Sequence, residues 1–194
     1  MLPFLLTSLA VELTPGPNMA YLVLMTSLRG RRAGFFMVPG IALGLLTVGT
    51  ASALGAASLM AAFPPLYHLL KWVGVFYMLW LAYDAWVSST QKAEDIADKN
   101  YFAQVFITNI LNPKAYLFFI TVLPSFIPQS EPAFSVIMPY VALYVMVASL
   151  VHLALVFLAD RARGLLSNAG AQATLGRVFA ALLVAIAFWL ALKT

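Results

Sequence analysis

The length of its uncharged apolar stretches is the feature that most constrains this chain. Residues 33–70 and 132–159 contain no Asp, Glu, Lys or Arg, and about 20 apolar residues are enough to cross a bilayer as a helix. Charged residues make up 9% of the sequence, against about 25% in soluble domains. The sequence therefore predicts an all-α membrane protein and excludes a water-soluble enzyme.

Turn residues and charges divide the apolar sequence into six predicted transmembrane helices. The connections between them are short, and 194 residues leave no room for a separate soluble domain. We therefore predict one membrane domain over residues 1–194. The first span runs from the N-terminus to residue 28, and the others cover residues 35–62, 66–88, 101–127, 134–159 and 174–192.

Lys and Arg are distributed unequally between the two sides of the predicted bundle. Because cytoplasmic loops retain positive charge, the side with more basic residues is predicted to be cytoplasmic and both termini to lie outside. These residues form short clusters rather than one basic face, so the net charge of +4 predicts a membrane topology and no nucleic-acid partner. The cytoplasmic side carries Arg29, Arg31, Arg32, Lys92, Lys99, Arg161, Arg163 and Arg177, and the other side carries Lys193.

Three spans in each half give the halves opposite orientations, so we predict a 3+3 inverted repeat with halves of about 1–95 and 96–194. Proline motifs occur at corresponding places in spans one and four. Proline removes a backbone donor and clashes with the preceding turn, so both helices are expected to be broken there. Backbone opened at this depth must face protein or a polar cavity. The motifs are Thr14-Pro15-Gly16-Pro17-Asn18 and Asn112-Pro113-Lys114, and Pro113 follows Pro15 by 98 residues.

Ionisable and amide side chains surround both predicted breaks. An ionisable group at the centre of a membrane helix costs about 2.5–3.5 kcal/mol, which requires a functional reason. Lys114 and Glu12 supply the two charges that the carboxylate and ammonium of an amino acid need. In the alternative interpretation they form a buried ion pair that docks the two halves, and both interpretations can hold together. The candidate substrate-binding residues are Glu12, Pro15, Gly16, Pro17, Asn18, Asn109, Asn112, Pro113 and Lys114.

The two proline motifs also belong to a wider set of motifs that covers essentially the whole chain in order and spacing. The others are the glycine-spaced stretch from Gly30 to Gly44, Leu70-Lys71-Trp72-Val73-Gly74, Tyr77-Met78-Leu79-Trp80-Leu81, and Asn109-Ile110-Leu111 ahead of the second motif. As a set they resemble the LysE/RhtB family of amino-acid exporters. The resemblance implies a six-span bacterial inner-membrane protein that expels amino acids such as threonine, homoserine, leucine or lysine in exchange for protons. It leaves the substrate open.

Proton coupling is expected to involve Glu12 and Asp84. Glu12 would change its protonation as its distance from Lys114 changes between the outward and inward states. Asp84, near the inner end of span three, departs from the family pattern and is expected to pair with the basic segment 29–32. His152 is interpreted as a packing residue. The GxxxG pair Gly40 and Gly44 predicts close helix packing, either within the monomer or in a homodimer.

Other functions fit the residues less well. An intramembrane enzyme would need a catalytic constellation, and the sequence contains no HExxH or Gly-x-Ser-x-Gly motif. A metal exporter would need a cluster of Asp, Glu, His or Cys in the spans. A passive channel, or an exporter of a metal or another solute, stays open as an alternative, and so does a membrane-embedded enzyme. We therefore expect a transporter without metal or cofactor, whose partners are an amino acid, protons and lipid.

Overall fold

The computed structural model describes residues 1–14, 16–56, 64–90, 100–127, 134–162 and 169–192. Within these ranges nearly every residue is helical and no strand occurs, which confirms the predicted all-α fold. The α-helices are α1 (Leu2–Leu13), α2 (Pro17–Arg29), α3 (Arg31–Ala51), α4 (Pro64–Thr90), α5 (Tyr101–Ile110), α6 (Pro113–Leu117), α7 (Phe134–Ala162) and α8 (Ala169–Leu192). A π-helical turn, Ser52–Ala56, extends α3, and a π turn (Phe118–Val122) and a 3₁₀ turn (Leu123–Phe126) follow α6.

The two predicted helix breaks are present. Helix α1 ends at Leu13, and Thr14 and Gly16 have extended backbone before α2 begins at Pro17. Helix α5 ends at Ile110, and the next segment leaves it at an angle of 48°. Each break precedes a proline at the first position of a helix, where its missing N–H and fixed φ are tolerated.

Some helices are longer than the predicted spans. The expected connection over residues 29–34 is wrong in extent, because Gly30 alone separates α2 from α3. Gly30 has a φ of 88°, which only glycine adopts readily. Arg31 and Arg32 therefore lie in the first turn of α3. Hydropathy marks where a helix crosses the apolar layer, whereas long basic side chains let the helix itself continue into the polar headgroups.

Length and hydropathy identify a multi-pass membrane protein. Two helical stretches of the described chain meet the requirements for a span by themselves, Arg31–Gly55 with mean hydropathy 1.7 and Phe134–Ala162 with 2.5. The bent pair formed by Tyr101–Ile110 and Lys114–Phe126 provides a third. Large apolar side chains are exposed on the outer faces of the helices, where lipid covers them: Leu6, Phe36, Leu43, Phe76, Leu150, Phe157, Leu158 and Phe188.

The glycine motif of α3 forms a contact inside the monomer. Helix α3 packs against α5 and α7, α1 and α2 also pack against α7, and α4 packs against α8. A Cβ atom on Gly40 would lie 2.5 Å from the backbone oxygen of Phe102, and one on Gly44 would lie 2.7 Å from Cβ of Asn109. Small residues thus bring α3 onto α5 and fix the position of Asn109, so this face is not available for a homodimer.

Candidate functional site

The two helix breaks meet at a small polar cavity, here called the polar chamber. Its volume is about 20 Å³, which is room for about one water molecule. Six of the predicted site residues line it: Glu12, Gly16, Asn18, Asn109, Asn112 and Lys114. The remaining lining residues are Met19, Ile41, Leu45, Ala115, Tyr144 and His152.

Helix α7 holds the carboxylate of Glu12, whose side chain is buried. The Tyr144 hydroxyl donates a hydrogen bond to Glu12 Oε1 at 2.5 Å, and His152 Nδ1 lies 3.8 Å from Glu12 Oε2. The same histidine nitrogen is 2.7 Å from the carbonyl oxygen of Ala148. The ring of Tyr144 stacks on Phe118, with 3.7 Å between the ring centroids. The acid of the chamber is therefore tied to α7 rather than to the second break.

Lys114 connects the two breaks directly. Its Nζ donates a hydrogen bond at 2.8 Å to the carbonyl oxygen of Thr14, the residue that follows α1. Carbonyl groups at the end of a helix have no partner within the helix, so this bond satisfies one of them. Among the described residues Glu12 pairs with His152 within 4.0 Å and not with Lys114. The predicted Glu12–Lys114 ion pair is thus replaced by a bond from Lys114 to the backbone.

Within the described part of the chain, two buried amide oxygens on chamber-lining residues have no hydrogen-bond partner: Oδ1 of Asn18 and Oδ1 of Asn109. The side-chain nitrogen of Asn109 donates to the carbonyl oxygen of Ile41 at 2.6 Å, which fixes the orientation of that amide. More than 90% of buried backbone polar groups, and most buried side-chain ones, have a partner in folded proteins. These two oxygens are therefore suited to accept from a donor that enters the chamber, and an ammonium group carries three.

The helix that starts at the first break begins with backbone N–H groups that have no partner within the helix itself. Gly16 is the N-cap of α2 and has no side chain that could cap it. Pro17 lacks an N–H, and the next N–H groups, of Asn18 and Met19, have no partner within the helix because they belong to its first turn. The helix dipole adds partial positive charge at the same end. This end of α2 is suited to an anionic group.

Of the three prolines among the predicted site residues, Pro17 begins α2 and lines a second, larger cavity. Pro113 begins α6, and its side chain lies outside the described residues, as does the whole of Pro15. Pro17 and Pro113 therefore begin the helices that follow the two breaks, and the polar contacts of the chamber come from other residues.

Asp84 belongs to a separate polar group, here called the inner cluster, formed by Tyr21, Tyr77, Asp84, Gln104 and Thr108. The Tyr21 hydroxyl lies 3.0 Å from Asp84 Oδ2 and 2.6 Å from Gln104 Oε1. Gln104 Nε2 donates to Asp84 Oδ2 at 3.1 Å, and Tyr77 donates to the carbonyl oxygen of Gln104 at 2.9 Å. Asp84 thus links α4 to both broken spans. Its pairing with residues 29–32 stays a prediction.

Sequence reasoning missed Tyr144 and underestimated His152. His152 is buried and hydrogen-bonded, as a packing residue would be, but it also lines the chamber beside Glu12. The available signal was its spacing from Tyr144, since residues eight apart lie on the same face of a helix. A buried acid in span one required such a polar face on a neighbouring helix.

Comparison with known proteins places the chain in a family. A model described as "LysE type translocator" matches residues 9–194. The chain is 36% identical over 143 residues to a cysteine/O-acetylserine efflux protein of Salmonella choleraesuis, covering 68% of this chain and 70% of the relative. It is 26% identical over 135 residues to a leucine efflux protein of the same organism, covering 66% and 64% of the two chains. No solved structure matches it significantly. With a match across nearly its whole length, the chain belongs to the LysE family of translocators.

Proposed function

We propose that this protein exports amino acids from the cytoplasm as a secondary transporter, with the polar chamber as its substrate site. The observation that carries the proposal is the composition of one chamber between two helix breaks. It combines an acid, Glu12, a base, Lys114, and two buried amide oxygens without partners. Discontinuous helices whose ends meet near the bilayer midplane are the usual substrate sites of secondary transporters.

Both charged groups of an amino acid have partners in the chamber. The substrate carboxylate would bind Lys114 Nζ and the N–H groups at the start of α2. The substrate ammonium would bind Glu12 and the oxygens of Asn18 and Asn109. Because the chamber has room for about one water, binding replaces existing contacts: Lys114 leaves the Thr14 carbonyl and Glu12 leaves Tyr144. Each exchange gives one hydrogen bond for another, so the net cost is small.

The proposed topology is six spans in a 3+3 inverted repeat, as a single domain with both termini outside the inner membrane. The packing of the helices supports it. A pseudo-two-fold axis exchanges span one with span four and span two with span five. Span one consists of α1 and α2, span two is α3, span four begins with α5 and span five is α7. The axis therefore relates the contact between α3 and α5 to the contact that α7 makes with α1 and α2, and both contacts are present. It also maps the pairing of α4 with α8 onto itself.

Alternating access is supported by a difference between the predicted outer side and the predicted inner side of the bundle. On the predicted outer side, a cavity of about 280 Å³ adjoins the chamber. On the inner side, α2 is closely packed, with Leu24 and Leu28 buried, and the inner cluster joins it to α4 and α5. Opening toward the cytoplasm would require that cluster to separate.

Proton antiport is proposed to use two carboxylates. Glu12 would bind the substrate ammonium when charged and release it when protonated. Asp84 would stabilise the inner cluster when charged, because it accepts from Tyr21 and Gln104. Protonation of Asp84 would weaken these bonds and favour the inward-open form. One carboxylate would thus act on the substrate and the other on the inner closure.

The test is efflux from proteoliposomes loaded with radiolabelled amino acids, with and without an imposed proton gradient. The names of the relatives make leucine, cysteine and O-acetylserine the first substrates to examine. We expect efflux that saturates with substrate and is driven by the gradient. Leak that is independent of the gradient and does not saturate would favour a channel, and no flux of any amino acid would contradict the proposal.

Glu12→Gln keeps an oxygen for Tyr144 and removes the titratable charge. We expect this variant to lose gradient-driven efflux while its elution profile and thermal midpoint in detergent match those of the wild type. The matched control is Thr7→Ala on the same helix. The Thr7 hydroxyl donates to the carbonyl oxygen of Pro3 within α1, and this variant should export normally. Unimpaired gradient-driven efflux by Glu12→Gln would remove Glu12 from the coupling role.

A further inference from the structure

We infer that the larger cavity beside the polar chamber is the binding site for the substrate's side chain and that it selects amino acids with apolar side chains of medium size. This cavity, here called the side-chain cavity, measures about 280 Å³. The inference rests on the proposed function, because it assigns the chamber to the charged groups of the substrate. It adds the class of side chain and the residues that select it.

The side-chain cavity adjoins the polar chamber. Gly16, Asn112 and Lys114 line both of them. A Cβ atom on Gly16 would lie 3.4 Å from Cδ of Lys114, which is ordinary van der Waals contact, so a side chain larger than that of alanine would extend into the junction. Glycine keeps this junction open, and a substrate whose charged groups bind in the chamber can extend its side chain through it.

The lining of the side-chain cavity favours an apolar occupant. Apart from Lys114, which the substrate carboxylate would engage, none of the described residues that line it is charged. A charged substrate side chain would lose its hydration there without gaining a partner, which is strongly unfavourable. Each methylene that leaves water for such surroundings strengthens binding about fourfold. The apolar lining consists of Val11, Pro17, Leu117, Phe118, Val122, Ile186 and Trp189.

Phe118 connects the two parts of the proposed site. It lines the side-chain cavity, and its ring stacks on Tyr144, whose hydroxyl holds Glu12. A substrate side chain that contacts Phe118 would therefore act on the carboxylate that binds the ammonium. Two residues of α8, Ile186 and Trp189, also line the cavity. This contact gives the last helix a role in substrate selection.

The experiment compares efflux of alanine, leucine, lysine and aspartate from proteoliposomes. The variants Val122→Phe and Ile186→Phe reduce the cavity from two different elements. Val178→Phe makes the same type of change on the lipid-facing surface of α8, where the valine is 51% exposed, and serves as the matched control. We expect the wild type and the control to prefer leucine, and both filling variants to lose at least tenfold in leucine efflux while alanine efflux changes less than twofold.

A variant that enlarges the cavity covers the case in which the filling variants do not fold. Trp189→Ala should raise the ratio of tryptophan to leucine efflux at least threefold. The inference is overturned if lysine or aspartate leaves as fast as leucine, if filling reduces alanine and leucine equally, or if Trp189→Ala leaves the ratio unchanged. If the wild type exports no amino acid, the proposed function fails, and the inference fails with it.

Discussion

The two helix breaks carry similar proline motifs but differ in how their backbone is satisfied. At the second break, the Oδ1 of Asn112 accepts from the backbone N–H of Lys114 at 3.0 Å and so caps α6. At the first break, the N-cap of α2 is Gly16, which has no side chain to offer. The Thr14 side chain bonds back to Ala10 within α1 instead. The second break is therefore capped by its own side chain, whereas the cap residue of the first break has no side chain to do this.

This difference assigns separate roles to the two halves of the proposed site. The first break provides the backbone donors of α2 and the acid Glu12. The second break is a fixed support from which Lys114 reaches across to the Thr14 carbonyl. Substitutions at the first break should mainly change transport, and substitutions of the capping residue at the second should mainly change stability. Lys114 is the exception, because it belongs to both breaks.

The largest effect is expected for Lys114→Met, which removes the charge and keeps most of the length of the side chain. It deletes the proposed partner of the substrate carboxylate and the bond between the breaks, and we expect initial efflux rates to fall at least 100-fold. Arg177→Met on α8, where Arg177 lies over the ring of Trp86 outside the chamber, is the control. Efflux by Lys114→Met above half the wild-type rate would contradict a shared role for the two breaks.

Asn18→Ala should reduce transport by about tenfold without reducing stability. The Oδ1 of Asn18 is buried without a partner, so its removal relieves an unfavourable group rather than breaking a bond. Efflux rates and thermal unfolding in detergent, measured on the same preparation, test this. A lower thermal midpoint with normal transport would show that Asn18 is a structural residue.

Asn112→Ala should show the opposite pattern. Loss of an N-cap side chain costs about 1 kcal/mol, so the free energy of unfolding of Asn112→Ala should fall by about that amount. Asn112→Asp retains a capping oxygen, so its free energy of unfolding should fall less. Chemical denaturation in detergent gives the value. Equal stability of the wild type and the alanine variant would mean that the second break is not supported by its own cap.

The smallest effect is expected for Gly16→Ala. The backbone of Gly16 is extended, with φ of −154°, so alanine fits without strain, and its Cβ would make ordinary contact with Lys114. Folding should be unchanged, and the apparent affinity for leucine should fall about two- to threefold because the junction becomes narrower. Gly16→Val should reduce the apparent affinity for leucine further. An unchanged affinity in the valine variant would indicate that the substrate side chain does not pass the junction beside Gly16.

Sequence reasoning predicted the helical class, the two breaks and most of the polar groups of the chamber. These depend largely on local sequence, since prolines grouped with glycine or asparagine end a helix at both breaks and charges within apolar spans require partners. Single prolines do not suffice, because Pro39 lies inside α3 and Pro139 inside α7. Tyr144 was missed because an aromatic residue in an apolar helix is indistinguishable from packing until its neighbour is known. The choice of Thr14 rather than Glu12 as the partner of Lys114 depends on angles between helices that the sequence does not specify. The glycine pair of α3 illustrates the same limit, because spacing predicted close packing but not that α5 is the partner.

The central claim is that the polar chamber is an aqueous site that binds amino acids. The sequence contains no cysteine, so an introduced thiol can be labelled without background. Asn18→Cys places a thiol in the chamber, and Leu6→Cys places one on the lipid-facing side of α1, where the leucine is 60% exposed. A charged methanethiosulfonate reagent should label the first variant and not the second, and leucine should slow the labelling at least fivefold. Labelling at position 18 that is absent, or that leucine leaves unchanged while leucine is exported, would contradict the placement of the substrate between the two breaks.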